Sequence, residues 1–359
     1  MKQRFTSLED RIAALTNAGD SLVGLNAHIN WESFRPQLNR IHNKSRKSKA
    51  GAKPFDVVLM FKILVLQQLH NLSDDRIEYQ ILDRLSFMRF LGLNFKEGVP
   101  DSKTIWLFRE NLNTLNLTEV LFAEFHNQLA SLGYVAREGQ MIDATFVEVP
   151  KQRNTREENK QIKAGELPEG WDKDEKKAIA KRRQKDIDAR WTKKNSQSYY
   201  GYKNHVNADQ KHKLIQSYSV TTASVHDSQV FDVLLDQSTD EQGKKRPVYA
   251  DSAYRSQEQE AKLSKNNMES QICEKGAINH PLTEEQKNSN RVKSKVRARV
   301  EHICGAQAAM GGHFVRTIGL ARAKVKIGMM NLVYNMVRLV QLITLDKKQN
   351  YGKVAPIAV

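Results

Sequence analysis

The sequence predicts an α/β fold: a mixed β-sheet flanked by helices and preceded by an all-helical region. Three observations predict it. Residues 54 to 135 are rich in apolar side chains at helical spacing. Beyond them, β-type and helical runs follow in the order strand, strand, strand, helix, strand, which suits a mixed sheet closed by a crossover helix. Between the first two of those strands lies a segment, 151 to 198, holding 15 basic and 9 acidic side chains, too charged to be core.

The elements follow in order. Residues 1 to 53 read as an N-terminal arm that ends in a basic, glycine-terminated linker from Arg40 to Gly51. Pro54 opens a strongly apolar helix through Phe55, Val58, Phe61, Leu64 and Leu69. Ser73 caps the next, through Ile77, Ile81, Phe87 and Leu91, with Gly92 as its stop. Pro100-Asp101-Ser102 signals a third helix, and a fourth ends at Gly133. Short helices joined by tight turns suit a helix-turn-helix that enters a DNA groove, and an all-helical core without DNA contact fits the same residues. Then come a strand over Met141–Val149, a hairpin of Tyr200–Val206 with Leu214–Thr222, a helix capped at His226-Asp227-Ser228, and a strand from Pro247 to Asp251. A terminal helix over 319 to 345 should cover the sheet, leaving Arg322 and Lys324 free on its basic side. Residues 346 to 359 read as a flexible tail.

Composition narrows the function. At 359 residues the chain exceeds what one small core serves. Its 57 Lys plus Arg against 41 Asp plus Glu give a net charge of +16, which attracts a polyanion, most simply nucleic acid. No apolar run approaches the roughly 18 residues that a membrane span needs, and the first residues hold no secretory leader. Two cysteines, Cys273 and Cys304, rule out a disulfide framework or a four-cysteine zinc site and fit a reducing cytoplasm.

Three acids draw attention. On a strand, Met141, Asp143, Thr145, Val147 and Val149 share one face, so Asp143 stands on a mostly apolar stripe. A carboxylate there needs solvent or a cation, and a turn-capping aspartate is the plainer alternative. Asp251 ends a later strand, where ligands gather in open α/β sheets. Glu301 closes the run Lys287–Glu301, which carries six Lys or Arg. On a continuous helix Glu301 shares a face with Lys293 and Arg297, so a helical ion pair accounts for it plainly. The sharper account joins Glu301 to the two aspartates around a metal while Lys295, Arg297 and Arg299 meet phosphates. Two divalent ions roughly 4 Å apart serve both ends of an in-line phosphodiester displacement. Oxygen ligands suit Mg²⁺ or Mn²⁺, and no Gly-rich phosphate loop supports ATP use.

The residues then resemble a known family. Carrying the resemblance are Pro100 to Leu112, Ile142-Asp143-Ala144-Thr145, Tyr200-Gly201-Tyr202-Lys203-Asn204-His205, His226-Asp227-Ser228, Tyr249 to Tyr254, and Arg297-Ala298-Arg299-Val300-Glu301-His302. In this order they resemble bacterial insertion-sequence transposases of the insertion sequence five family. These belong to the Asp-Asp-Glu superfamily, with a ribonuclease H-like catalytic domain. The resemblance implies a helical DNA-binding domain over 54–135 and a catalytic domain over 136–345 interrupted by the charged insertion. It implies Asp143, Asp251 and Glu301 as the catalytic, metal-binding trio, holding two Mg²⁺ ions with Mn²⁺ as substitute. It also implies DNA partners, namely terminal inverted repeats and a target duplex, engaged by a homodimer or larger assembly at the bacterial nucleoid. The implied reaction cuts the element ends and transfers their 3′-hydroxyls to target DNA. A non-catalytic DNA-binding protein and a nuclease without strand transfer are the alternatives. The family signature around the glutamate carries Tyr and Lys where this sequence has Ser294 and Ala308. Lys295, Arg299, Arg316, Arg322 or Lys324 would then hold the terminal phosphate. Lys203 and His205 share a strand face that would approach DNA or the site, and Trp191 would stack on a displaced base or pack plainly.

Overall fold

The computed structural model describes residues 7–43, 53–171, 176–194, 196–237, 244–276 and 280–351. Most of the basic linker and the tail beyond residue 351 lie outside the described residues. The chain forms two compact units, residues 1–135 with 328–359, and residues 136–327.

The first unit contains α1 (Leu8–Asn17), α2 (Ser21–His28), α3 (Arg35–Leu38), α4 (Val57–Leu69), α5 (Asp74–Asp83), α6 (Leu85–Leu91), α7 (Ser102–Thr114) and α8 (Leu117–Ser131). Pro54 lies ahead of α4, and Asp56 caps it by accepting from the Val58 and Leu59 N–H groups. Ser73 and Asp101 cap α5 and α7 through Arg76 and Thr104. The helix expected from 73 to 91 is broken at Arg84, whose extended backbone (ψ 114) separates α5 from α6. α4 is apolar around most of its circumference and is correspondingly buried. Phe61 packs at 4.9 Å from the Phe34 ring and 6.2 Å from Trp31, which meets Phe90 edge-on at 5.5 Å. Because Phe61 is fully buried, Phe61→Ala should destabilise this unit by about 3–5 kcal/mol, read from the shift in its denaturant midpoint. The outward side of α5 shows Asp75, Arg76, Tyr79, Leu82 and Asp83, a surface of mixed charge.

The second unit is built on a six-stranded mixed sheet. Its elements are β1 (Gln140–Glu148), α9 (Arg156–Ala164), α10 (Lys176–Gln184), β2 (Arg190–Lys194), β3 (Gln197–Asp209), β4 (Ile215–Thr222), α11 (Phe231–Leu234), β5 (Arg246–Ala250), α12 (Gln257–Lys265), β6 (Met268–Ile272), α13 (Glu284–Arg297) and α14 (Arg299–Ala309). The strand order is β2-β3-β1-β5-β6, with β4 also on β3. β1 is central, antiparallel to β3 and parallel to β5, and β5 is parallel to β6. The expected mixed α/β class therefore holds, with two strands more than expected.

One extra strand, β2, falls inside the charged insertion. That segment is not wholly outside the sheet, and it has a small core of its own from Ile162, Trp171 and Ala178. Trp171 Nε1 donates to Glu158, and Lys181 pairs with the same carboxylate while lying 5.0 Å over the Trp171 ring. Gly201 marks where β1, β2 and β3 meet, pairing with both Glu148 and Arg190. Its φ of +148 and the Val147 carbonyl lying against the place of a β-carbon leave room only for glycine.

The last helix, α15 (Leu320–Tyr351), starts in the second unit and from Gly328 belongs to the first. The expectation that the terminal helix covers the sheet is thus corrected for most of its length. Met329, Leu332, Val333, Met336 and Leu339 are buried among the helices, and Gly24 on α2 gives Val340 its seat. Tyr134 Oη donates to Asp346 at 2.6 Å, fixing the far end.

Candidate active site

Strand register brings the first two acids together. Met141 on β1 pairs with Tyr249 on the parallel β5, so Asp143 and Asp251 each lie two residues further along neighbouring strands. Residues two apart return to the same side of a strand, so both carboxylates leave the sheet on the face of Met141 and Tyr249. The opposite face carries Ile142, Val248 and Ala250 into a core with Phe231, Leu234, Tyr254 and Leu263. Asp251 also caps the turn that follows it, its Oδ1 accepting from the Ser252 N–H at 2.7 Å.

α14 lies over this same face. Cys304 Sγ is 3.0 Å from Thr145 Oγ1, and Asn204, opposite Thr145 in the sheet, donates to Gln307. Glu301 is one helical turn before Cys304, on the same side of α14, and is exposed. Burial pushes the Cys304 thiol up, and the charges of Asp143 and Glu301 add to that shift while the Thr145 hydrogen bond opposes it. The thiol therefore lies in the field of both acids.

Asp143 is perturbed by its surroundings. Burial raises its pKa above the usual carboxylate range, with Arg297, the Ala144 N–H and Lys194 lowering it and Asp251 raising it. Arg297 Nη1 donates to Asp143 Oδ2 at 3.2 Å, and the two side chains keep 26% and 23% of their surface open. The helix expected from 287 to 301 is interrupted at Ala298, between α13 and α14. Ala298 itself keeps helical backbone angles (φ -54, ψ -16), and Arg297 pairs with Asp143.

The basic residues divide. Lys295, Arg299, Arg316 and Lys324 are exposed, Arg299 also donating to the Gln210 carbonyl at 3.1 Å. Lys203 is buried, pairing with Asp227 at 2.7 Å and with the Val225 carbonyl at 2.8 Å. His205 is fully buried against Thr221. Both face away from Asp143, since their partners across the sheet are Phe146 and Ala144. The expectation that they approach DNA is corrected: alternation on β3 sends them into the interior, where Lys203 anchors the turn at Asp227. Trp191 lies on the edge strand β2, 45% exposed, with its ring 5.0 Å from Tyr200 and Lys151 5.8 Å above it. Packing and partial exposure are thus both present.

His205 supplies a pH test. Burial holds its pKa down to about 4, the nearby Asp227 opposing and Lys203 assisting. The unfolded chain then binds the extra proton between the ordinary value of about 6.5 and about 4, so His205 costs stability as pH falls through that window. Replacing it by Gln should flatten the loss by about 3 kcal/mol at most, checked by denaturant unfolding at pH 7 and pH 4.5.

A family model described as Transposase DDE domain matches residues 136–336. The chain belongs to that family. A second model, Transposase domain (DUF772), matches residues 10–111, so both units of this DDE transposase carry transposase sequence. A cryo-electron microscopy structure of a piggyBac transposase synaptic complex with hairpin DNA is similar over 93% of this chain and 77% of that chain, at 12% identity and a TM-score of 0.48. No described helix of the DDE transposase is long and apolar enough to cross a membrane.

DDE transposases generally depend on a divalent metal. The donors here fit such an ion in kind, since carboxylate oxygens suit hard cations and Asp143 and Asp251 already feel each other's charge. Among the described residues no three His, Cys, Asp or Glu side chains stand close enough together to hold one. Arg297 instead occupies Asp143. The pairing of Arg297 with Asp143, the approach of Cys304 to Thr145 and the field of Lys194 were not anticipated from sequence. Only the second left a signal, Cys304 being one turn from Glu301.

Proposed function

We propose that this transposase cleaves the ends of its insertion sequence and joins the resulting 3′-hydroxyls to target DNA, using Asp143, Asp251 and Glu301 as its metal-binding carboxylates. The observation that carries this reading is the pair Asp143 and Asp251, level on adjacent parallel strands, with the helix bearing Glu301 over the same face. Two Mg²⁺ ions, or Mn²⁺ in their stead, would supply activation of the attacking oxygen and neutralisation of the leaving one. Asp143 and Asp251, set on rigid strands, fix where the scissile phosphate must lie. Glu301 completes the carboxylate set from the helical side.

Lys295, Arg299, Arg316 and Lys324 are the exposed cations that hold the DNA backbone on this reading, Lys295 and Arg299 flanking the α13–α14 junction. Contacts of this kind make affinity fall steeply with salt. Trp191, partly exposed on the edge strand with Lys151 over its ring, would stack on a base displaced from the element end. Both element ends must be handled in one reaction, which a homodimer or larger assembly on DNA provides.

The test is an assay with duplex carrying the element end, a supercoiled target and Mg²⁺. End strands covalently joined to the target are expected, and they should vanish when the metal is chelated. Cleavage without any joined product would assign a nuclease instead. Salt-sensitive binding with no cleavage would assign a non-catalytic DNA-binding protein.

A further inference from the structure

Arg297 is placed where it can serve two partners. It terminates α13, next to the Ala298 break, and reaches Asp143 through one nitrogen at 3.2 Å. Its Nε is buried with no acceptor. A settled arginine–carboxylate pair in the same chain looks different: Arg109 grips Asp74 with two nitrogens, at 2.6 and 2.7 Å. The contact at Asp143 is longer and single, so the fork geometry that gives such pairs their strength goes partly unused. Part of the Arg297 side chain is open to solvent, and exposed Lys295 and Arg299 stand on either side of it in sequence. A phosphate arriving at the open part of Arg297 would offer its guanidinium the two-oxygen partner it lacks at Asp143. Arginine does not shed its proton, so the cation leaves Asp143 by exchange of partners and not by its own deprotonation.

We propose that Arg297 is the resident counter-ion of Asp143, and that its transfer to a DNA phosphate frees the carboxylate for a divalent ion. The inference rests on the reading of Asp143 as a metal ligand. It makes Arg297 a positioning residue that couples DNA binding to metal loading. Because DNA and metal draw on opposite members of one ion pair, each strengthens the binding of the other by the same factor.

The test measures Mn²⁺ binding to the full chain by electron paramagnetic resonance of the free ion, with and without a short linear duplex, and needs no turnover. Wild-type protein should bind Mn²⁺ about tenfold more tightly once duplex is present, within the usual range of such couplings. Arg297→Gln should reach about that tighter affinity without DNA and gain little from adding it. Arg297→Lys, keeping the charge, should stay near wild type without DNA. Asp143→Asn serves as control and subtracts ions held by the DNA itself. If Arg297→Gln binds Mn²⁺ no better than wild type while Asp143→Asn binds less, the counter-ion role is wrong and the metal-ligand reading stands. If Asp143→Asn binds as well as wild type, the metal-ligand reading fails and takes this proposal with it. The reciprocal measurement, duplex affinity of the unaltered protein with and without Mn²⁺, avoids any folding defect in the variants. An unchanged duplex affinity there would overturn the coupling.

Discussion

Asp143→Asn should leave the protein folded and bound to DNA while slowing metal-dependent cleavage of end-containing duplex about a thousandfold, about 4 kcal/mol of barrier. Asparagine keeps the shape and removes the charge. The fold should tolerate it because the carboxylate gains little from its site: burial raises its pKa, and a neutral amide escapes that penalty. What is lost is the ionic contact from Arg297; the bond from the Ala144 N–H can still be accepted by the amide oxygen. An unfolding midpoint close to wild type, together with a duplex affinity no weaker than wild type, would attribute the lost rate to the site. A cleavage rate within tenfold of wild type would remove Asp143 from the metal-binding set.

Glu301→Gln separates two accounts of an exposed acid. If Glu301 merely paired along a helix with Arg297, its removal would cost a few tenths of a kcal/mol and no activity. The ion pair of Arg297 with Asp143 argues against that account. As the third carboxylate, Glu301→Gln should slow cleavage about a hundredfold, about 2.7 kcal/mol of barrier, with stability unchanged. Single-turnover cleavage in Mg²⁺ beside thermal unfolding reads both quantities. Full cleavage activity in the variant would leave Asp143 and Asp251 without their presumed third partner.

Much of this site is written in local sequence. The alternation from Met141 to Val149 fixes which side of β1 holds Asp143, and the short apolar run before Asp251 fixes the end of β5. Caps at Ser73, Asp101 and His226 were legible because a side chain that closes a helix end acts within three residues. Strand β2 was not, since Arg190, Lys193 and Lys194 give an edge strand no apolar alternation to display. Strand β6 shows only Met268 and Ile272, four residues apart and both buried, too sparse a pattern to separate from a loop. The interruption at Ala298 has no Gly or Pro to announce it. Ala298 keeps helical backbone angles, so the interruption is a one-residue irregularity that propensity does not mark. Likewise the ion pair between Arg297 and Asp143 joins positions 154 apart, and no local rule reaches that far.

The helix α15 carries a consequence for how the molecule is made. Tyr134 and Asp346, bonded in the finished fold, are 212 positions apart. During synthesis the first eight helices leave the ribosome well before the segment that fills the space against α2, and the entire sheet-bearing unit is made in between. Until Val333, Met336 and Leu339 arrive, the nascent helices must carry an uncovered apolar face, the kind of transient surface that draws chaperones or aggregates. Completion of the helical unit is therefore a late event in the life of the chain, and a ribosome that stops short of residue 328 releases a sheet whose companion unit lacks its closing helix.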